Sequence, residues 1–367
     1  MMILMNAFTK EPESLVRAEI NAVERVIRSG CWILGDEVKS FENEWSSRSG
    51  IPYTVGVGNG MDALEIGLRA LGIGPGDEVI TTPMTAFATV LAIFRAGAIP
   101  VLADIDPDTA ILSLDSVARC VGPQTRAVMV VHLYGQSAPL REFESFCQGH
   151  GIHLIEDCAQ AHGAFSQGNP VGSVGIFSGW SFYPTKNLGG IGDGGALSTR
   201  NFEISQKVRQ LRNYGQSERY HHPEVGLNSR LDELQAAILR ERLKFLDQWI
   251  KRRREIAHAF AAGIRNPSVR VLPLPTDEKS HVHHLFVVTT PLREALAAHL
   301  KERNIETLIH YPLPIHYQEP CKSIRVDPKG LSLAEKHAKE CLSLPCNPFL
   351  TDDEVGMVID GVNGFQA

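Results

Sequence analysis

Short apolar runs alternate with longer amphipathic stretches from about residue 53 to residue 200, and this alternation constrains the fold more than any other feature of the chain. Apolar runs bounded by turn residues are typical of buried strands, and apolar positions at helical spacing are typical of helices packed on a sheet. The predicted strands are YTVGV, EVITTP, IPVLADID, TRAVMVVHLYG, HLIEDCA, IFSGWSF and GGALST, and the helical stretches include MDALEIGLRAL and AFATVLAIFRAG. We therefore expect an α/β fold with a mostly parallel sheet, helices on both faces and a candidate helix after each of the strands IPVLADID, TRAVMVVHLYG and HLIEDCA.

The pattern changes after residue 200. Residues 229–260 contain no glycine or proline and have strong helical periodicity, which predicts one long helix or two in line. A proline-rich stretch over 265–275 has the composition of a junction, and HLFVVTT with PLREALAAHLKERN then begins a second strand-and-helix region. We predict a large domain over residues 1–250 and a smaller C-terminal α/β domain over residues 251–367.

Composition argues against several classes of partner. The chain of 367 residues has 36 Lys and Arg against 42 Asp and Glu, a net charge of −6, so it has no broad electrostatic attraction to nucleic acid or to an anionic membrane. No apolar stretch approaches the roughly 18 residues of a membrane span, and the start lacks the basic region of a signal peptide. Seven cysteines without regular spacing predict reduced thiols in a cytoplasmic protein.

A single lysine, Lys186, lies between an apolar and aromatic run and a glycine-rich stretch in SFYPTKNLGGIGDGGAL. Most lysines are exposed, and Lys186 can be such a residue. The preceding SFYP, however, is a poor sequence for a solvated loop. A desolvated lysine has a lowered pKa and becomes an amine nucleophile toward carbonyl groups, so Lys186 is also a candidate catalytic residue.

Asp157 ends the apolar strand HLIED, and ligands bind at the carboxyl ends of strands in sheets of this type. Its carboxylate can pair with a cationic ligand such as a protonated pyridine ring, or it can cap the helix that follows. Gln160, three residues further on, can donate a hydrogen bond to a ligand oxygen. We interpret His162 as a core histidine with its hydrogen bonds satisfied.

Gly58, Asn59 and Gly60 follow a predicted strand and precede a predicted helix. Small residues at such a turn let backbone N–H groups reach a phosphate at the helix N-terminus, although tight turns of any function use glycine. The hydroxyl of Ser181 can reach the same phosphate. The turn is neither a Walker loop nor a dinucleotide-binding fingerprint.

Histidines are concentrated in two other segments. On a strand, His281 and His283 would lie on one face and His284 on the other, and without a third ligand we prefer surface or core histidines to a metal site. The segment HYPLPIHYQ, which begins at His310, is rigid and rich in hydrogen-bonding groups, and it either lines a substrate pocket or connects two elements.

The chain resembles the pyridoxal-phosphate sugar aminotransferases of the DegT/DnrJ/EryC1/StrS family. The matching segments, in the family's order and spacing from about residue 8 to beyond residue 350, are GNGMDALEIGLRALGIGPGDEV, EDCAQAHGA, SFYPTKNLGGIGDGGAL, RNYGQ, GLNSRLDELQAAIL and HYPLPIHYQ. The resemblance implies the aspartate-aminotransferase type of fold (fold type I), pyridoxal 5'-phosphate as cofactor, and a homodimer with active sites at the subunit interface.

The resemblance also implies roles for individual residues. Lys186 would form the Schiff base with the cofactor and then move the proton between the substrate carbon and the cofactor's aldehyde carbon. Asp157 would pair with the pyridine nitrogen, and Gln160 would bond the phenolate oxygen. The phosphate would be held by Gly60, Met61 and Ser181, together with Asn228 of the partner subunit, and the substrate would be approached by Arg230, His310, Tyr311 and His316.

Two positions depart from the family's pattern. Met61 stands where threonine is common, so its backbone can reach a phosphate but no hydroxyl is available. Ala86 stands where many members carry an aromatic residue stacked on the cofactor, and Phe87 is next to it. Either the register shifts by one residue or another side chain covers the ring.

The implied reaction is transamination of a nucleotide-linked keto-6-deoxysugar with glutamate as amino donor. Family members that act as dehydratases carry a histidine in place of the lysine, so Lys186 argues for transamination. The segment GLNSRLDELQAAIL is more similar to members that aminate 3-keto sugars than to those that aminate 4-keto sugars. The alternatives are a non-catalytic regulatory relative and an aminotransferase for a cyclitol or another non-nucleotide ketone.

Overall fold

The computed structural model describes residues 2–366. Its helices are α1 Glu13–Ser29, α2 Asp36–Ser49, α3 Gly60–Ala70, α4 Phe87–Arg95, α5 Leu114–Cys120, α6 Leu140–His150, α7 Phe202–Leu211, α8 Glu233–Leu243, α9 Leu246–Gly263, α10 Arg293–Glu302, α11 Ser332–Glu340 and α12 Asp352–Asn363. Its strands are β1 Tyr53–Val57, β2 Glu78–Thr81, β3 Ile99–Leu102, β4 Thr125–Val131, β5 His153–Asp157, β6 Phe165–Ser166, β7 Asn169–Pro170, β8 Phe177–Ser181, β9 Gly195–Thr199, β10 Arg270–Val271, β11 Phe286–Thr289, β12 Arg325–Val326 and β13 Cys341–Leu344.

One large sheet organises the fold, with strand order β1-β9-β8-β5-β4-β2-β3-β12. Strand β9 is antiparallel to both of its neighbours, β1 and β8, and the other neighbouring pairs are parallel. Asp157 lies at the carboxyl end of the central strand β5, in register with Val131 of β4 and Gly179 of β8. The predicted α/β fold with a mostly parallel sheet is therefore confirmed.

Both faces of the large sheet are covered. On β4, Val128 and Val130 belong to one buried cluster, while Ala127 and Met129 belong to another, as the alternation of side chains along a strand requires. Phe143 of α6 packs in the first cluster. The apolar strands therefore serve two cores at once, which explains why they contain few polar residues.

Local hydrogen bonds fix where helices begin. Asn59 caps α3 by accepting from the N–H of Asp62 at 2.8 Å. Glu233, at the start of α8, accepts from the N–H groups of Gly35, Glu37 and Val38, so one buried carboxylate caps the distant helix α2. These contacts satisfy donors that have no partner within their own helix.

The connection between β5 and β8 differs from the sequence prediction, which placed a candidate helix there. Strands β5 and β8 are joined through the hairpin β6–β7, and β8 and β9 by the loop that carries Lys186, with no helix in either connection. The second connection links antiparallel neighbours, which need no crossover helix. The stretch 229–260 contains two helices, α8 and α9, the second of the two forms expected.

The C-terminal region builds its own small sheet, with strand order β10-β11-β13, over a core that includes Phe260 of α9 and Phe286 of β11. The N-terminal residue Ile3 belongs to the same core and pairs with Ile305, while β12 from the C-terminal region joins the edge of the large sheet. The boundary at residue 250 falls within α9 and stays a prediction. Among the helices of residues 2–366, none is both long and apolar enough to cross a membrane.

Candidate active site

A cleft lies where strands β5 and β8 end and helices α3 and α4 begin. The structure brings together in its wall most of the residues that were predicted to hold a cofactor: Gly60, Met61, Ala86, Asp157, Gln160, Ser181 and Lys186. They come from four separate segments of the chain, so their meeting depends on the sheet order rather than on proximity in sequence.

Asp157 is buried, and its carboxylate has defined partners. Oδ2 accepts from the hydroxyl of Thr89 at 2.8 Å, and Oδ1 accepts from the N–H of Ala159 at 3.1 Å. Burial raises the pKa of the Asp157 carboxyl, while these two hydrogen bonds and the charge of Lys186 oppose the shift. Thr89 was not predicted from the sequence, because it lies within an apolar helical run that gives it no polar context.

Lys186 lines the same cleft as Asp157. Burial lowers the pKa of the Lys186 ammonium from 10.5 to about 8, and the charge of Asp157 opposes this shift. A larger fraction of the amine is therefore neutral near neutral pH than for an exposed lysine, and the neutral amine is the form that attacks a carbonyl.

The turn before α3 forms a cradle of backbone donors. Asn59 occupies the N–H of Asp62, while the N–H groups of Gly60 and Met61 come too early in the helix to have an acceptor within it. A Cβ on Gly60 would lie 2.7 Å from Cβ of Ser181, so only glycine lets this backbone approach the end of β8. The N–H groups of Gly60 and Met61 and the hydroxyl of Ser181 thus provide three donors for an anion at a helix N-terminus.

Gly195, at the start of β9, packs against the backbone of Asn59 and Gly60 in the turn that begins α3. A Cβ on Gly195 would lie 2.3 Å from the carbonyl carbon of Asn59 and 2.6 Å from the nitrogen of Gly60. The strand that follows the Lys186 loop therefore packs directly on the turn that starts α3. Close packing, rather than contact with a ligand, accounts for this glycine of the glycine-rich stretch.

Gln160 is held in one orientation. Its Oε1 accepts from the N–H of Tyr134 at 2.6 Å, which leaves Nε2 to donate to the hydroxyl of Tyr311 at 3.1 Å. Burial and the charge of Asp157 together raise the pKa of Tyr311 to about 12, against the opposing effect of the bond from Gln160. Tyr311 thus lies beside the predicted cofactor residues, and the structure adds Tyr134, which the sequence analysis did not select.

Ala86 and Phe87 have different surroundings. Ala86 lines the cleft, whereas Phe87 packs in a separate apolar cluster with Val90, Leu102 and Ile315. The segment that begins α4 therefore contributes no aromatic ring to the wall of the cleft.

Asn228 and Arg230 lie away from the Lys186 cleft of their own chain. Asn228 is exposed, and Arg230 donates to Oδ1 of Asn213 at 3.0 Å and lies over the ring of Tyr214. Between them, buried Ser229 accepts from the N–H of Gly58 at 3.0 Å and ties the segment to the end of β1.

The two histidines of the segment HYPLPIHYQ differ in surroundings. His310 bonds Oγ of Ser343 at 2.9 Å, and burial together with the charge of Lys186 lowers the pKa of His310 to about 4. His316 bonds the carboxylate of Glu335 at 3.1 Å on the side of α11. His310 is therefore close enough to Lys186 for the lysine charge to lower its pKa.

The other histidines considered in the sequence, His162 and those of residues 281–284, are buried. His162 is buried against Trp45, Trp180 and Phe182, as expected of a core histidine. Residues 281–284 form no strand, because His283 has a φ of 44°. The predicted strand alternation is wrong there, although the rings of His281 and His283 stack 3.8 Å apart.

A buried trio of His132, Glu156 and Cys158 has ligand atoms close enough for a metal. The carboxylate of Glu156 already accepts from three backbone N–H groups and from Nε2 of His132. The other ring nitrogen of His132 accepts from the N–H of Ala138, and burial raises the pKa of the Cys158 thiol well above 9.0. Because Glu156 and His132 already have hydrogen-bond partners, we interpret the trio as structural contacts that stabilise the end of β5 and not as a metal site.

Pyridoxal phosphate fits the donor set of the cleft. The buried Asp157 carboxylate has remaining lone pairs and suits a cationic ring nitrogen, the donors of Gly60, Met61 and Ser181 suit a phosphate, and Lys186 suits an aldehyde. The fold and this site define a fold type I aminotransferase that depends on pyridoxal phosphate.

Comparison with known proteins agrees with this class. Residues 13–363 match the model of the DegT/DnrJ/EryC1/StrS aminotransferase family, and the chain belongs to that family. The family resemblance inferred from the sequence is therefore confirmed, as is the prediction of a sugar aminotransferase that uses pyridoxal phosphate.

The relatives that match are similar over nearly their whole length. A dTDP-3-amino-3,6-dideoxy-alpha-D-galactopyranose transaminase of Aneurinibacillus thermoaerophilus is 45% identical over 94% of this chain and 94% of its own. A dTDP-3-amino-3,4,6-trideoxy-alpha-D-glucose transaminase of Streptomyces venezuelae is 43% identical over 95% of this chain and 92% of its own. The crystal structure of S. venezuelae DesV in complex with a ketimine intermediate superposes with a TM-score of 0.92 at 42% identity, covering 96% of this chain and 95% of that one.

Proposed function

We propose that the protein transfers the amino group of glutamate to the keto carbon of a nucleotide-linked keto-6-deoxysugar, with a 3-keto sugar favoured over a 4-keto sugar. The observation that carries the proposal is the meeting of Lys186 and Asp157 in one cleft. The two similar relatives described above are both named as transaminases of 3-amino sugars, which supports the 3-position.

The cofactor, when bound, supplies an aldehyde that carries the amino group between substrates and a ring that stabilises negative charge on the substrate carbon. Asp157 would hold the ring nitrogen in its protonated form, because a buried carboxylate is stabilised by a neighbouring cation. Thr89 and the N–H of Ala159 fix the carboxylate, so it meets the ring nitrogen in one orientation.

Lys186 would act twice. Its amine would first anchor the aldehyde, and once the substrate's amino group has displaced it, the freed amine would accept and return the proton on the substrate carbon. Both roles require a neutral amine, and a pKa of about 8 makes it available. Gln160, oriented by Tyr134, would donate to the ring's phenolate oxygen.

We propose a homodimer in which Asn228 and Arg230 serve the active site of the partner subunit. Their segment lies outside the cleft of their own chain, and apolar side chains around it are exposed, among them Tyr220 at 81% and Val225 at 86%. Trp32, at 62% exposure after α1, adds to the apolar surface that a partner would cover. Arg230 would then meet a substrate from across the interface.

His310 and Tyr311 would approach the sugar from the segment that follows Leu308, and His316 would support this segment through Glu335. We also propose a cytoplasmic location, because the seven cysteines are unpaired and six of them are buried.

A non-catalytic regulatory relative would have no need for both Lys186 and Asp157, which argues against that alternative. An aminotransferase for a cyclitol would keep both residues. The decisive experiment supplies glutamate with a panel of 3-keto and 4-keto nucleotide sugars and a keto-cyclitol, and follows product mass. We expect amination of a 3-keto nucleotide sugar. Amination of the cyclitol alone, or a colourless protein that takes up no cofactor, contradicts the proposal.

A further inference from the structure

Tyr134 follows β4 with a left-handed backbone, which is uncommon for any residue except glycine. Its φ is 61°, and the φ of the next residue, Gly135, is 94°. A tyrosine keeps such a conformation only where its surroundings impose it, and such positions are concentrated at functional sites. Tyr134 is 2% exposed, so its polar groups need partners inside the protein.

The two donors of Tyr134 contact two different parts of the active site. Its N–H donates to Oε1 of Gln160 at 2.6 Å, and its hydroxyl donates to the carbonyl oxygen of His310 at 2.5 Å. Gln160 in turn donates to the hydroxyl of Tyr311 at 3.1 Å. Because His310 and Tyr311 are adjacent in the chain, these contacts form a closed ring. The ring joins the proposed cofactor residue to the proposed substrate residues.

The donors of this ring also define the proton position on His337. Nε2 of His337 lies 3.0 Å from the hydroxyl oxygen of Tyr134. Burial keeps the phenol protonated by raising the pKa of Tyr134 well above its ordinary value, and the phenol uses its one proton on the carbonyl of His310. The phenol oxygen therefore accepts from His337. Burial and the charge of Arg270 lower the pKa of His337 to about 4, so its single ring proton at neutral pH lies on Nε2.

Helix α11 carries His337 and supports the substrate segment at a second point. Glu335, two residues earlier, bonds Nε2 of His316 at 3.1 Å. This helix belongs to the C-terminal region, whereas Tyr134 follows a strand of the large sheet. The hydroxyl of Tyr134 therefore joins the large sheet to the C-terminal region inside the active site.

The hydroxyl of Tyr134 is separable from the packing of its ring. The ring belongs to the buried apolar cluster that includes Leu133 and Leu285, and a phenylalanine would fill the same space. The hydroxyl adds the hydrogen bonds to His310 and His337. The thiol of Cys341, at 3.8 Å, is a weaker donor to the same carbonyl of His310. Removing the hydroxyl thus weakens the ring of contacts without creating a cavity.

We propose that Tyr134 and His337 are positioning residues that fix the distance between Gln160 and the substrate residues His310 and Tyr311. They act through the carbonyl of His310 and not by contact with the substrate. The inference rests on the proposed function in one respect, since it takes His310 and Tyr311 as the residues that approach the sugar. Loss of the Tyr134 hydroxyl should impair the sugar more than glutamate, because the backbone N–H that orients Gln160 remains.

The first test separates the two half-reactions in the full-length, cofactor-loaded protein. Glutamate removes the visible absorbance of the bound cofactor and the keto sugar restores it, so rapid mixing measures each second-order rate constant alone. We expect Tyr134→Phe to lower the constant for the sugar about tenfold and that for glutamate by less than about twofold. A loss that is equal in both half-reactions, larger with glutamate, or absent from both overturns the proposal.

His337 offers a conservative rescue. His337→Gln keeps an N–H donor near the position of Nε2 and should retain the sugar half-reaction within about twofold, whereas His337→Leu should lower it roughly threefold to tenfold. Tyr53→Phe removes the hydroxyl of a tyrosine on β1 whose ring packs against Phe202, and this control should change neither half-reaction. A leucine variant that performs as well as the glutamine variant contradicts the role of His337.

Nitrogen NMR of the histidine-labelled, cofactor-loaded protein tests the contact without turnover. The His337 ring, assigned as the signal that His337→Gln lacks, should be neutral with its proton on Nε2. This proton should exchange with water faster in Tyr134→Phe. A proton on Nδ1, or an exchange rate that Tyr134→Phe leaves unchanged, overturns the proposal. A wild type that reacts with glutamate but aminates no ketone contradicts the proposed function instead, and the NMR signals then decide whether Tyr134 and His337 are bonded as proposed.

Discussion

The hydroxyl of Thr89 donates to Oδ2 of Asp157 at 2.8 Å, from the first turns of α4 to the end of β5. We expect Thr89→Val to weaken cofactor binding by roughly tenfold to a hundredfold, because a hydrogen bond to a buried charge contributes about 1.5–3 kcal/mol. The measurement is cofactor affinity, followed by visible absorbance. Thr89→Ser keeps the donor and should bind as the wild type does, and an unchanged affinity in the valine variant contradicts the assigned role.

Lys186→Ala should take up the cofactor but lose turnover by at least about three orders of magnitude, because no other amine in the cleft can carry the proton. Glutamate-dependent amination followed by mass is the measurement, together with the loss of the borohydride-sensitive absorption. Lys251→Ala, at an exposed position of α9, is the matched control and should keep full activity. Residual turnover above one-tenth of wild type in Lys186→Ala is incompatible with the proposed role.

The lowered pKa of Lys186 predicts the pH dependence of cofactor uptake. In the cofactor-free protein, the rate of visible absorbance gain on adding pyridoxal phosphate should rise with an apparent pKa of about 8. Because the folded pKa lies below the ordinary 10.5, the folded state holds fewer protons between these two values, so the free energy of unfolding should rise with pH in that window. Lys186→Met should remove this rise. An uptake rate that titrates near 10.5 contradicts the burial argument.

Gln160 and Tyr311 should behave as a coupled pair. Gln160→Leu and Tyr311→Phe each remove one end of the 3.1 Å hydrogen bond. In a double-mutant cycle on cofactor affinity, the coupling energy should be about 0.5–1.5 kcal/mol. Tyr317→Phe, on the same segment but exposed, is the control. Additive effects within error would show that Tyr311 acts on the substrate alone.

Subunit complementation tests the shared site. Lys186→Ala and Arg230→Ala should each be inactive alone, whereas unfolding and refolding them together should restore about a quarter of the wild-type sites, since mixed dimers carry one intact site. The readout is specific activity against mixing ratio. A mixture that stays inactive, with refolding of the wild type as control, would place Arg230 in the cleft of its own chain or outside catalysis.

Much of the fold could be predicted because the strands of the large sheet are apolar and bounded by turn residues. The connection β5–β8 could not, since the absence of a helix leaves no periodic signal and depends on which strands become neighbours. The segment 281–284 alternates in sequence like a strand, but His283 has a left-handed backbone that only tertiary packing imposes.

At the site, Asp157 and Lys186 could be selected from the sequence, because each is an ionisable residue shortly after an apolar run. Thr89 and Tyr134 could not, because their roles arise from contacts across 68 and 26 residues.

Gly195 touches the backbone of Asn59 and Gly60 with no space for a methyl group. The amine-bearing loop and the phosphate turn consequently form a single rigid part, although 135 residues separate Gly195 from Gly60 along the chain. Any larger residue at position 195 would force the Lys186 loop and the turn of Asn59 and Gly60 to separate. We therefore expect no substitution to be accepted at position 195, although Gly195 takes no part in the reaction.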